Sequence, residues 1–280
     1  MDNLISRTIT GIFIVIFILG GFWLHPWSFL ITGLVLLCGT QYEYYRMIRN
    51  GGIKPQMIPG MMMGVVIYTV SSLVAAGLVK NDWFLLLIPF AALIMIIELY
   101  RKQERPFDSL AHTFFSVLYS AVPFSIFPFS AFSHSGLDSL LNHEGILFSP
   151  GIVVGFFILL WANDTGAYLV GVSMGKHRLM ERISPKKSWE GFLGGLIITI
   201  VAAWFLSGWF GVVSGRGWII ISLIISLAGT YGDLIESMLK RSLGVKDSGS
   251  IMPGHGGFLD RFDSVILSFP LVYLYIALFG

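Results

Sequence analysis

The chain has 280 residues, 55% of them hydrophobic and only 12% charged, with a mean hydropathy of +0.78. A soluble domain of this length does not need so much apolar sequence, so the composition points to an all-α, polytopic membrane protein and to no nucleic-acid partner. The net charge of +2 says little, because the placement of the charges matters more than their sum. The single cysteine, Cys38, lies inside an apolar run, so no intrachain disulfide can form.

Arg7 precedes the first apolar run as in a signal peptide, but Gly-Gly-Phe-Trp-Leu-His-Pro-Trp follows with no small-x-small cleavage pattern, which predicts a retained span. Runs of roughly 17–25 apolar residues can cross a hydrocarbon core of about 30 Å, and about nine are found. They are Thr8–Leu24, Trp27–Ile48, Ile58–Val79, Trp83–Tyr100, Leu110–Phe132, Gly151–Gly175, Gly191–Val213, Trp218–Leu239 and Phe262–Phe279. Pro89, Pro123 and Pro128 are expected to kink or break the fourth and fifth.

Charge asymmetry orients these spans. Of the eighteen Lys and Arg, all but Lys80 and Arg216 fall on alternate flanks, beginning with Arg7. The positive-inside rule then predicts a cytoplasmic N-terminus and an outer C-terminus. The loops Lys176–Glu190 and Lys240–Arg261 both face the cytoplasm on this reading. The outer loop Ser133–Pro150 has His134, Asp138, His143 and Glu144 but no cation, and reads as a solvated loop. The chain is read as one integral domain, 1–280, with scaffold spans over 1–150 and catalytic spans and loops over 151–280.

Three polar segments stand out in the last third. In WANDTGAYLVGVSMGK, Asp164 sits near the middle of an apolar run, where an acid is functional by default. Ala167, Gly171 and Gly175 recur every four residues there, and Gly191 and Gly195 repeat the spacing later. Such faces suit close helix contact within the chain or across a homodimer. In ISPKKSWEGFLGG, Ser184, Lys186, Lys187 and Ser188 gather hydroxyls and cations just before a span, a ready anion site.

The third segment runs from Gly232 to Asp263. Helical spacing puts Asp233, Ser237 and Lys240 on one face, flanked by Glu236 and Arg241. Gly244, Gly249, Gly254, Gly256 and Gly257 then form a loop whose backbone can approach phosphate. Asp260 and Asp263 lie on the first turn of the last span. A hard divalent cation takes one or two carboxylates plus substrate phosphates, and Asp233 and Asp260 at the two ends of the loop are the expected metal pair. Familiar nucleotide loops are absent. GVSMGKH is one residue short of a Walker A loop, no G-x-G-x-x-G follows a strand-like run, and no H-E-x-x-H occurs.

These residues resemble the signature of the bacterial phosphatidate cytidylyltransferase (CDP-diacylglycerol synthase) family. The match runs through Ser237, Leu239, Lys240, Arg241, Lys246, Asp247, Gly249, Pro253, His255, Gly256, Gly257, Phe258, Asp260, Arg261 and Asp263, with Met252 in place of the usual Leu, Ile or Phe. The WANDTGAY and SPKKSWEG segments are similar to further blocks of that family. The resemblance implies transfer of a cytidylyl group from CTP to phosphatidate at a cell membrane, with the site facing the cytoplasm. By analogy the metal is Mg²⁺, with a monovalent cation such as K⁺ as an optional companion.

On that reading Asp233, Asp260, Asp263, Lys240 and Arg241 are catalytic. Ser184, Lys186, Lys187, Ser188, Ser237, Lys246, Asp247, His255, Arg261 and Asp164 bind substrate, and His255 either donates a hydrogen bond to phosphate, the favoured role, or carries a proton. The rivals are a secondary transporter with intramembrane acids, a CTP-dependent polyprenol kinase and a membrane scaffold. A CDP-alcohol phosphotransferase would need a D-G-x-x-A-R run, which is absent.

Overall fold

The computed structural model describes residues 2–133, 147–245, 247–249 and 256–279. The described chain is almost entirely helical: α1 (Asp2–Trp23), α2 (Pro26–Asn50), α3 (Met57–Ala75), a 3₁₀ segment (Asn81–Leu86) running into α4 (Leu87–Arg101), α5 (Pro106–Ser116), α6 (Val122–Ser125), α7 (Phe127–Ala131), α8 (Gly151–Met174), α9 (Trp189–Ser207), α10 (Gly215–Ser242) and α11 (Leu259–Phe279). Two short antiparallel hairpins interrupt them, β1 (Phe132–Ser133) with β2 (Leu147–Phe148), and β3 (Arg178–Met180) with β4 (Ser184–Ser188).

Among the described residues, seven helical segments are long and apolar enough to cross a membrane. They coincide with the last seven expected spans, as befits an all-α polytopic membrane protein. The first two expected spans are also helical. Within α1 the apolar stretch Thr10–Trp23 is shorter, and the second half of α2 reads TQYEYYRMIRN, too polar for the same criterion. The proline-bearing fifth span is broken. A π-turn over Val117–Ala121 separates α5 from α6, because Pro123 has no N–H to continue an unbroken ladder.

By packing, the chain divides into two compact units, Met1–Pro150 with Asp247–Arg261, and Gly151–Lys246 with Phe262–Gly280. In the first unit α2 is central, burying Phe29, Leu36, Leu37, Tyr44, Tyr45 and Ile48. Polar contacts fix its neighbours. Gln41 Nε2 donates to the Gly60 carbonyl at 2.9 Å, Tyr45 Oη to Thr113 O at 2.9 Å and Tyr68 Oη to Leu30 O at 2.9 Å.

A second polar knot ties the α2–α3 loop to α4 and α5. Glu98 is buried, and its Oε2 accepts from Gln56 Nε2 at 2.6 Å and Arg101 Nη1 at 2.8 Å. Arg101 also donates to Ser109 Oγ and to the Lys54 carbonyl. In the second unit Trp218 is buried and donates its indole N–H to Phe210 O at 3.1 Å, while Phe156 and Phe269 meet edge to face at 5.0 Å.

Glu98→Ala strands two donors around a buried carboxylate position, so a loss of roughly 2–3 kcal/mol is expected. Thermal melting of the purified protein in detergent should show a clearly lower midpoint for this variant and a smaller drop for Glu98→Gln.

Candidate active site

The site in the second unit begins with a glycine. At Gly232 of α10 an added Cβ would lie 2.7 Å from the Asp263 carbonyl oxygen and 3.1 Å from Ser264 Cα. Only a residue without a side chain lets α10 and α11 approach so closely. The next residue on α10 is Asp233, and the neighbour on α11 is Asp263, so the contact brings two acids together. Glu236, one turn on from Asp233, completes the group. Ligand oxygens of Asp233, Glu236 and Asp263 all lie within 4.8 Å of one another, and Glu236 and Asp263 are buried.

Like charges this close are costly, and cations offset them. Lys187 Nζ lies 2.5 Å from Asp233 Oδ2, and Lys240 Nζ lies 2.5 Å from Glu236 Oε2. Ser237 Oγ donates to Asp233 Oδ1 at 3.2 Å, and Asp263 Oδ1 accepts the Ser264 N–H at 2.5 Å. The expected face of Asp233, Ser237 and Lys240 is therefore real, and it extends to Glu236. The helix ends where its last carbonyls are met by Gly244 and Val245 N–H groups, with Gly244 at φ 69°.

Against Asp233 opens a cavity of about 340 Å³, lined also by Asp164, Lys186, Lys187, Ser188 and Thr230, among others. The β3–β4 hairpin delivers the lysines. Trp189 N donates to His177 O at 2.9 Å to close its base. Glu190 holds the same base by accepting from the Lys176 and His177 N–H groups and pairing with His177 Nδ1 at 2.6 Å. Ser188 caps α9 by accepting from Gly191 N at 3.1 Å. The glycine faces are used within the chain. An added Cβ at Gly191 would lie 2.8 Å from Ala167 O, and one at Gly195 would lie 2.8 Å from Asn163 O.

The other expected residues are placed as follows. Ser184 opens β4 and is half-buried, while Arg241 is exposed and donates to Val245 O at 3.1 Å. In the first unit Asp247 and Arg261 are exposed. Asp260 there accepts N–H groups from Ser248 at 3.1 Å and Gly257 at 2.9 Å. Lys246 and His255 lie outside the described residues, as do His134, Asp138, His143 and Glu144. Sequence reasoning gave Glu236 no ligand role and passed over Glu43, which is 1% exposed in α2. Its Oε2 accepts from Ser248 Oγ at 2.9 Å and Leu259 N at 2.8 Å. The signal for Glu43 was available, since it is the one acid in the expected span Trp27–Ile48.

Buried carboxylates beside a lysine- and serine-lined cavity, on helices long and apolar enough to cross a bilayer, suit a divalent cation and phosphates. The comparisons make this specific. The model of the cytidylyltransferase family matches residues 5–279, and the chain belongs to that family. It is similar to proteins named phosphatidate cytidylyltransferase. That of Staphylococcus haemolyticus (strain JCSC1435) is 32% identical over 274 residues, spanning 95% of this chain and 96% of that one. That of Staphylococcus saprophyticus subsp. saprophyticus is 32% identical over 285 residues, with 95% and 96% spanned. That of Staphylococcus aureus (strain COL) is 38% identical over 188 residues, or 66% of each chain.

Gly232→Ala would wedge a methyl group against the α11 backbone, at a cost of roughly 1–3 kcal/mol. A divalent cation is expected to raise the thermal midpoint of the parent protein and to raise that of this variant less or not at all.

Proposed function

We propose that this chain transfers the cytidylyl group of CTP to phosphatidate, giving CDP-diacylglycerol and pyrophosphate. The observation that carries the proposal is the three-carboxylate cluster whose Asp233 lines the lysine- and serine-lined cavity, in a chain whose relatives are named for this reaction. The chain would cross the cell membrane nine times with its N-terminus and its site on the cytoplasmic side. CTP would enter from water and phosphatidate sideways from the bilayer.

The donor set fits a hard cation, since all three acids offer carboxylate oxygens. We infer Mg²⁺, held by Asp233, Glu236 and Asp263. When bound, it would neutralise charge on the triphosphate and the departing pyrophosphate. The rest falls to the chain's own residues. A phosphatidate phosphate oxygen attacks the α-phosphorus of CTP, and the bond from that phosphorus to the bridging oxygen breaks. The nucleophile is already an anion, so no general base is needed. Lys186 and Lys187 from the hairpin hold phosphates in line, and the Ser188 hydroxyl orients them. Lys187 is the residue that changes partner, from Asp233 to substrate phosphate.

Purified protein given labelled CTP, phosphatidate and Mg²⁺ should release pyrophosphate and form a labelled liponucleotide, strictly dependent on phosphatidate. Release of CDP with phosphorylation of a lipid alcohol would instead identify a kinase. Asp233→Asn and Asp263→Asn should each lower turnover by at least about 100-fold while the protein still inserts. Lys187→Ala should chiefly raise the KM for CTP.

A further inference from the structure

We propose that Glu43 is a positioning residue for this reaction, tying Ser248 to α2 and fixing the first turn of α11. The inference rests on the reading above for its catalytic meaning, and on geometry for the rest. A carboxylate buried in an apolar helix is costly unless hydrogen bonds meet it. Glu43 Oε2 meets two donors 205 and 216 residues away in sequence, the Ser248 hydroxyl and the Leu259 N–H.

Leu259 is the first residue of α11. Its N–H is one of the donors that a helix cannot satisfy internally, and a negative charge there is favourable. The preceding residue is Phe258, which has no acceptor for a cap. Glu43 thus supplies from α2 the cap that the local sequence lacks. The helix so anchored bears Asp260, Arg261 and Asp263 on its first two turns.

Ser248 joins this anchor to Asp260. Its hydroxyl goes to Glu43, and its N–H goes to Asp260, which also takes the Gly257 N–H. The surface of α2 is shaped to receive Gly249, Gly257 and Phe258. The Phe258 ring lies against Gly39, where an added Cβ would stand 2.7 Å from it. An added Cβ at Gly249 would lie 2.6 Å from Glu43 Oε1, and one at Gly257 would lie 2.5 Å from Glu43 Oε2. Meanwhile Oε1 is buried with no hydrogen-bond partner among the described residues. A neutral glutamine would be the cheaper residue if stability were the whole purpose. A full charge sharpens the two hydrogen bonds and holds Ser248 and Leu259 in one place.

The test compares kcat with thermal stability for Glu43→Gln, Glu43→Asp, Glu43→Ala and Ser248→Ala. Glu43→Asp and Glu43→Ala should lower kcat roughly 10–100-fold, the range for residues that orient a site's ligands. Glu43→Gln should restore part of kcat and melt no lower than the parent. The double variant Glu43→Ala/Ser248→Ala should lose no more kcat than Glu43→Ala alone, because the hydroxyl has lost its partner. If Glu43→Ala does not fold, Glu43→Gln with Ser248→Ala serves as the cycle instead.

Full kcat in a folded Glu43→Ala, or multiplicative losses in the double variant, would overturn the proposal. Amide hydrogen exchange over residues 247–259 reads the anchor without any substrate and should quicken in Glu43→Gln. Unchanged exchange there also overturns it. A parent protein that makes no CDP-diacylglycerol, yet whose loop exchange quickens on substitution, would sink the proposed reaction and leave the anchor standing.

Discussion

A carboxylate held between apolar helices must be met by a cation or by hydrogen-bond donors, and this constraint organises the polar parts of the molecule. Asp233, Glu236 and Asp263 share one small volume. At a few ångströms in a low dielectric, their mutual repulsion amounts to several kcal/mol. Lys187 and Lys240 offset part of it through ion pairs at 2.5 Å. The cluster is thus a place where a divalent cation is worth more than in water. The same rule governs Glu98 and Glu43, which are met by donors instead of forming a cluster, and there it yields anchoring.

Glycine has several separate uses in this chain. Reading the sequence, the natural use of Gly249 and Gly257 was a flexible cradle for phosphate. The structure gives both a steric purpose, since each clears space for the Glu43 carboxylate. Gly232 clears space for the α11 backbone, and Gly191 and Gly195 admit the α8 carbonyls. Gly244, with its positive φ at the end of α10, uses the conformational freedom that glycine alone has cheaply, as do Gly52, Gly77 and Gly256. Close approach of backbones without a hydrophobic drive between helices is what small residues supply in a bilayer.

The helical architecture was legible because length and apolarity are local properties. Seven apolar runs reappear as helices with limits shifted by a few residues, and the prolines of the fifth interrupt it where a missing N–H requires. The face of Asp233, Ser237 and Lys240 was legible for the same reason, since 3.6-residue periodicity is written in the chain. Which acids meet was not. Asp263 reaches Asp233 through a backbone contact at Gly232, and nothing in the spacing of α10 or α11 announces that crossing. Glu43 was missed because its partners lie more than two hundred residues away. Only the rule that a lone acid in an apolar helix needs a reason could have raised it.

Charge balance links the cluster to the reaction proposed for it. Two lysines facing three carboxylates leave the site with an excess of negative charge. A metal-bound triphosphate brings both the cation that the carboxylates lack and the anion that the lysines can accept. Lys187 then exchanges one anionic partner for another, and neither state strands a buried charge. A site built from lysines alone would attract any phosphate, and one built from carboxylates alone would repel both substrates. The alternation of the two, set by the hairpin on one side and α10 on the other, favours a nucleotide that arrives with its metal. While the site is empty, the two ion pairs offset part of that excess, which allows a helix-buried cluster of acids to persist between turnovers.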